Sequence, residues 1–305
     1  MKRITVQAPA TVSNLGSGFD VLGFAMHEPY DTMHLQLIDE PVIRILQEKE
    51  FGISSDPSQN VAGRVLMAVR ERRKMKEGFE LVINKTIMPG SGIGSSAASA
   101  AGAAFAANAL LGNIFSKNEM VELAMEGEVV ASGSKHADNV APCIYGGVTL
   151  IRSIDPLDII AIPPANVFVT VVHPQIEIKT SYARSVLRKE VPMKDAVKQW
   201  GNLGALVAGF FMNDLPLIGR SLEDVIAEPY RKGLIPGYDE VKQRSLAAGA
   251  LGGCISGSGP SVFMFSESRE VAERVGAEMG RVYVELGIDH HIYVTTINDE
   301  GVRII

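Results

Sequence analysis

Eleven residues, Met88-Pro89-Gly90-Ser91-Gly92-Ile93-Gly94-Ser95-Ser96-Ala97-Ala98, run without a break into an alanine-dominated segment that ends near Leu111. Small residues let a loop's backbone close on a bulky anion. The helix behind it turns its unpaired N–H groups and positive dipole end to the same place. The pattern predicts a phosphate cradle, in which Ser95 and Ser96 cap the helix or contact phosphate or its metal. The competing reading is a plain glycine turn ahead of a buried helix.

Two other nucleotide loops are excluded. A Walker A loop needs a lysine after its last glycine, and none lies between Lys85 and Lys117. A dinucleotide fingerprint needs Gly-x-Gly-x-x-Gly and a later acid about twenty positions on. Here the glycines fall at Gly90, Gly92 and Gly94, and the next acid is Glu119.

With 305 residues the chain has room for two domains, and the reading divides it at 1–155 and 156–305. The net charge of −6, with no basic run longer than Arg72-Arg73-Lys74, argues against nucleic acid and anionic membrane as partners. Thr86 to Phe115 carries no charge, yet its glycine, proline and alanine content suits a buried helix better than a membrane span. Cys143 and Cys254 lack metal-ligand spacing and read as core fillers in a reducing compartment. Met1 to Ala10 does not read as a signal peptide, so a cytoplasmic protein is expected.

Alternation predicts strands at Ile4–Ala8, broken by Pro9, and around Met33–Leu37, with more at Val42–Gln47 and Phe79–Lys85. Helical spacing covers Gln59–Lys74 and about Ser95–Leu111, and Ser116 with Glu119 forms a capping box for a helix ending near Gly133. Val148–Arg152 is a strand, followed by a connector containing Pro156, Pro163 and Pro164. The second half reads as strands at Val167–His173, Ser261–Phe265 and His291–Ile297. Its helices fall around Ser181–Arg188, Asp195–Phe211, Tyr238–Ala248 and Arg269–Leu286. Strands mixed with helices without strict alternation indicate an α+β fold.

One acid stands out on the capped helix. Glu119, Glu122 and Glu126 share a solvated face, whereas Glu128 falls between Val121 and Ala124 on the apolar side. An acid there is costly unless something cationic meets it, which suggests a metal ligand; a helix-edge glutamate reaching solvent is the alternative.

The loop resembles the signature of the GHMP kinases, the group of galactokinase, homoserine kinase, mevalonate kinase and phosphomevalonate kinase. Two further motifs stand in the order that family shows: Ala8-Pro9-Ala10-Thr11-Val12-Ser13-Asn14-Leu15-Gly16-Ser17-Gly18-Phe19-Asp20, and Gly253-Cys254-Ile255-Ser256-Gly257-Ser258-Gly259-Pro260-Ser261. The resemblance implies a two-domain fold, with a ribosomal-protein-S5-domain-2-like N-terminal domain and a ferredoxin-like α/β-plait C-terminal domain. It implies ATP bound along Met88–Ala98, Mg2+ held by Glu128 and Ser95 or Ser96 (Ser95 being preferred), phosphoryl transfer to an alcohol, and a homodimer. Asn60 and Val61 are candidates for adenine by the same resemblance, and an ordinary N-cap at Asn60 reads equally well.

Ser132–Pro142, Lys179–Arg184 and Glu228–Gly237 are similar to the homoserine kinase branch. This implies L-homoserine as acceptor, in threonine synthesis. Asn14, Asp20 and Asn139 would contact its amino and hydroxyl groups, and Arg184 and Arg231 its carboxylate. A guanidinium fork suits a carboxylate, and an acid suits an ammonium. Arg184 also reads as an exposed residue of an amphipathic helix, and His136 as a structural hydrogen-bonding residue. For the transfer itself, Asp138 acting as general base competes with alignment beside Asn139 without a base. The loose transition state and the homoserine kinase resemblance favour alignment. Another small alcohol as substrate, or a non-catalytic sensor of the same fold, stays open.

Overall fold

The structure, a computed structural model, describes residues 3–47 and 51–305. The chain opens with two long antiparallel strands, β1 (Arg3–Ser13) and β2 (Leu22–Ile38), followed by β3 (Ile43–Gln47), α1 (Val61–Arg73) and β4 (Gly78–Asn84). Then come α2 (Ser95–Leu110), α3 (Lys117–Ser132), α4 (Val140–Tyr145) and the hairpin β5 (Val148–Ile154) and β6 (Leu157–Ile162). With β11 (Arg303–Ile304) at its edge, the first sheet is ordered β11-β1-β2-β4-β3, with β5 attached to β2 and β6 to β5. That edge strand comes from the far end of the chain.

The alanine run explains where α2 sits. It packs on β1 and β2 and against α1, α3 and α4, and it is buried nearly all round. Only small side chains allow that approach: a Cβ at Gly102 would stand 2.3 Å from the Met33 sulfur. At its neighbour, the capping box forms as read, with Ser116 capping α3 and Gly133 closing it in the left-handed conformation.

The second unit contains β7 (Phe168–Pro174), α5 (Thr180–Ser185), α6 (Met193–Met212), α7 (Leu215–Ser221), α8 (Glu228–Arg231) and α9 (Tyr238–Ala247). It continues with β8 (Gly252–Ile255), β9 (Val262–Ser266), α10 (Arg269–Leu286) and β10 (His290–Thr296). Its sheet is antiparallel in the order β10-β7-β9-β8, which is the split βαβ arrangement of an α/β plait. Period-two alternation divides its faces. Val172, Val262 and Met264 join Met279 and Val282 of α10, while Val171, Phe263 and Phe265 face the first unit. There Phe24 of β2 meets both phenylalanine rings, at 5.7 and 5.4 Å between centroids.

Three expectations need correction. β1 is not broken at Pro9; it continues to Ser13, and a register shift between Pro9 and Thr11 accommodates the residue that lacks an N–H. The proline-containing connector includes a strand, β6. The boundary expected at 155/156 therefore falls inside a hairpin, and the chain leaves the first sheet only after Ile162.

Candidate active site

Between the two units lies a cleft of about 410 Å³, the size of a small-molecule site. The glycine loop forms one wall. Gly94 caps α2 with φ +72° and no side-chain hydrogen bond, so neither serine caps the helix, and the uncapped start of the helix, Gly94 to Ser96, lines the cleft. A Cβ at Gly94 would stand 2.0 Å from Thr11 Oγ1, and one at Gly92 would stand 2.5 Å from the Gly259 carbonyl oxygen. The three sequence motifs thus meet here. Thr11 N–H donates to Ile93 O (3.1 Å), Ser256 Oγ to Gly92 O (2.7 Å), and Ser261 Oγ to Ser91 O (2.6 Å). Asn14 Nδ2 donates to Gly257 O (2.7 Å), tying the first motif to the third.

Within the loop, Pro89, Gly90, Gly92, Gly94, Ser95 and Ser96 line the cleft. Ser91, Ile93, Ala97 and Ala98 are buried, and Met88 is half-buried outside the lining. The two serines differ. Ser95 Oγ donates to the Ile87 carbonyl (2.8 Å), whereas Ser96 Oγ donates to Glu128 Oε2 (3.2 Å). Ser96 and not Ser95 is therefore the hydroxyl that accompanies Glu128. Successive residues at a helix start point about 100° apart, and the loop's approach selects which one faces in.

Glu128 is buried at the α3 face of the cleft, as its helical position requires. Burial pushes its carboxyl up to about 7, against the Ser96 hydrogen bond and with a further push from Asp138. A buried oxygen pair beside free helix N–H groups and a phosphate-sized loop suits a hard cation shared with phosphate.

Lys85, expected only as the end of a strand, lies under the cradle. Its ammonium donates to Asp31, to Ser95 O (3.2 Å) and to Ser99 Oγ (3.0 Å). The other oxygen of Asp31 accepts the N–H groups of Thr86 and Ile87. Nothing local signals this pair, because the partners stand far apart in sequence.

The opposite end of the cleft is charged. Asp138 is buried, and burial followed by the nearby Asp20 pushes its carboxyl up to about 6. Asn139 is committed at both ends of its amide, accepting from Thr11 Oγ1 and donating to Ser13 Oγ, each at 2.8 Å. Arg184 grips Asp20 through two hydrogen bonds of 3.0 and 2.9 Å. Arg231 is buried, with its guanidinium donating to Ala183 O (3.1 Å) and Gly257 O (3.0 Å). Both guanidinium groups lie over the Phe19 ring, at 5.8 and 5.1 Å, a role for Phe19 that the motif alone did not reveal. His136 lines the same end and hydrogen-bonds Ser134 Oγ. Its pKa is lowered by burial and by Arg184. Asn60 caps α1 through Gly63 N–H (3.0 Å), donates to Ser54 O (2.8 Å), and borders the cleft beside Ile53 and Val61.

The sequence-predicted residues from all three motifs and from α3, α5 and α8 are thus gathered around one cleft. The family model described as GHMP kinases N terminal domain matches residues 60–147, and that described as GHMP kinases C terminal matches residues 196–285. A homoserine kinase of Chlorobaculum tepidum is 49% identical over all of this chain and 99% of its own length. One of Chlorobium phaeobacteroides is 47% identical over the whole of both chains. The crystal structure of a homoserine kinase from Cytophaga hutchinsonii superposes with a TM-score of 0.96 at 46% identity, covering 100% of this chain and 98% of that one. With likeness of this degree from end to end, and with the three motifs packed together around one cleft, the chain belongs to the GHMP kinase family.

Proposed function

We propose that the chain is an ATP-dependent homoserine kinase. It transfers the γ-phosphoryl group of ATP to the hydroxyl of L-homoserine, giving O-phospho-L-homoserine and ADP, a step towards threonine. The observation that carries this reading is the charge layout. A carboxylate, Asp20, and two guanidinium groups, Arg184 and Arg231, stand at one end of a cleft whose other end is the free N-terminus of α2. An amino acid offers an ammonium and a carboxylate to that set, and a sugar or a polyol offers neither.

The backbone N–H groups of the loop and the first turn of α2 would cradle the triphosphate, and Glu128 with Ser96 would hold Mg2+. When bound, the cation neutralises phosphate charge. Asn14 and Asp20 receive the substrate ammonium, Arg184 and Arg231 its carboxylate, and Asn60 lies on the adenine side. Asn139, locked by Thr11 and Ser13, and its neighbour Asp138 orient the attacking hydroxyl. Alignment carries most of the rate, because a loose transition state needs little early proton removal. We place the chain in the cytoplasm, in keeping with two buried free thiols; no described helix is long and apolar enough to cross a membrane. We also propose a homodimer. Met193, Val197, Trp200 and Phe211 form an exposed apolar stripe along α6, and Gly201 and Gly204 beside it leave open space into which a second copy's stripe would pack.

A coupled ADP-release assay with L-homoserine, mevalonate and galactose tests the substrate. Turnover confined to L-homoserine supports the proposal, and its absence there removes it. Equal activity of Glu128→Ala and the unmodified chain would favour a sensor.

A further inference from the structure

Asp20 and Arg184 have opposite charges, come from different units, and already satisfy each other. The pair is bidentate, and about a third of the Asp20 side chain and two-fifths of the Arg184 side chain remain exposed. The two partners are held unequally. Asp20 sits in a left-handed turn (φ +60°) with its N–H fixed on Asn14 Oδ1 at 3.0 Å. Arg184 is the penultimate residue of a six-residue helix, and beyond Asp20 its guanidinium has only the Phe19 ring and no other hydrogen bond among those formed by the described residues, while Arg231 is buried and anchored on two carbonyls.

We infer that the Asp20–Arg184 ion pair is a placeholder that a zwitterion replaces by exchange, so that ligands with only one of the two charges are penalised. This rests on the amino-acid reading above. An incoming ammonium takes Asp20 and releases Arg184, and the carboxylate of the same molecule takes the released guanidinium. One ion pair becomes two, and the net charge of the cleft is unchanged. A ligand without a carboxylate must break the pair and leave Arg184 without a partner. A ligand without an ammonium strands Asp20 in the same way. Selection against such ligands comes from the charge left over, not from a clash.

The test is a gain of binding. Dissociation constants are measured by NMR titration of the nucleotide-free protein with L-homoserine, 3-aminopropan-1-ol (no carboxylate) and 4-hydroxybutanoate (no ammonium). Arg184→Gln is expected to bind the amino alcohol about fivefold more tightly than the unmodified chain, the equivalent of roughly 1 kcal/mol for a half-exposed bidentate pair. Asp20→Asn is expected to bind the hydroxy acid more tightly by the same factor, and both variants to bind L-homoserine more weakly. Lys179→Gln removes the same charge from the same cleft without touching the pair, and reads the field alone. The exchange is overturned if Arg184→Gln leaves the amino alcohol constant unchanged or matches Lys179→Gln. Unaltered L-homoserine affinity in both pair variants would instead overturn the amino-acid reading itself.

Discussion

The Lys85 ammonium and the Asp31 carboxylate meet where neither side chain reaches solvent, and together they hold both ends of the phosphate loop. Asp31 binds the backbone where the chain enters the loop, at Thr86 and Ile87, and Lys85 binds it where the chain leaves, at the Ser95 carbonyl, with a further bond to the Ser99 hydroxyl one turn on. Removing one partner strands a buried charge. Asp31→Leu or Lys85→Met alone is expected to cost about 3 kcal/mol, and the two changes together less than either single one. Urea midpoints of the four proteins check this, and additive losses would remove the coupling.

Gly94→Ala should abolish nucleotide binding and leave the fold in place. The added methyl meets Thr11 Oγ1 in a left-handed residue, so the helix start must move away from the cleft. Calorimetry with an ATP analogue is expected to show affinity reduced at least about a hundredfold, from a displacement costing roughly 3 kcal/mol. Circular dichroism should be unchanged.

Glu128→Gln keeps the size and removes the charge. The rate constant kcat should fall at least about a hundredfold and the Mg2+ concentration for half-maximal activity should rise. Ser96→Ala should lose about tenfold, and Ser95→Ala should act on stability through its bond to Ile87 rather than on Mg2+ dependence. Reversed magnesium effects for the two serines would contradict this assignment.

Asp138 makes stability depend on pH. Its carboxyl is pushed from the ordinary 3.8 to about 6, so between those values the folded chain holds a proton that the unfolded chain has released. Stability therefore falls as pH rises from 4 to 6, by about 3 kcal/mol for this group. Asp138→Asn should flatten that fall, leaving the slope from Glu128, which has the same sign. If alignment carries the transfer, the variant also retains kcat within about tenfold at pH 7, whereas a general base would cost about a hundredfold or more.

Val197→Lys with Trp200→Glu should convert a dimer to a monomer without loss of helix. Light scattering reads the mass. An unmodified chain that is monomeric at micromolar concentration would end the proposal for this face.

The readable parts of the sequence were those in which cause and effect lie close together. Ser116 and Glu119 predicted their own box, and the helical angle of Glu128 predicted its burial. Strand and helix order indicated an α+β fold, while the plait came from the family resemblance; β8 escaped notice because Gly253, Cys254 and Ile255 read as motif rather than as strand. What stayed hidden depended on distant partners. Asp31 meets Lys85, Arg184 meets Asp20, and Ser96 rather than Ser95 meets Glu128, each through the packing of separate elements. β11, two residues long, has no periodicity to detect.

The return of that short strand to β1 orders events during synthesis. Residues 88–98 are made in the first third of the chain, yet their hydrogen-bond partners at Ser256 and Ser261 emerge from the ribosome late, and the β1 border at residues 303–304 last of all. A nascent chain halted after the first unit would carry an unfinished sheet edge and an unsupported nucleotide loop, leaving it prone to aggregation and unable to turn over ATP.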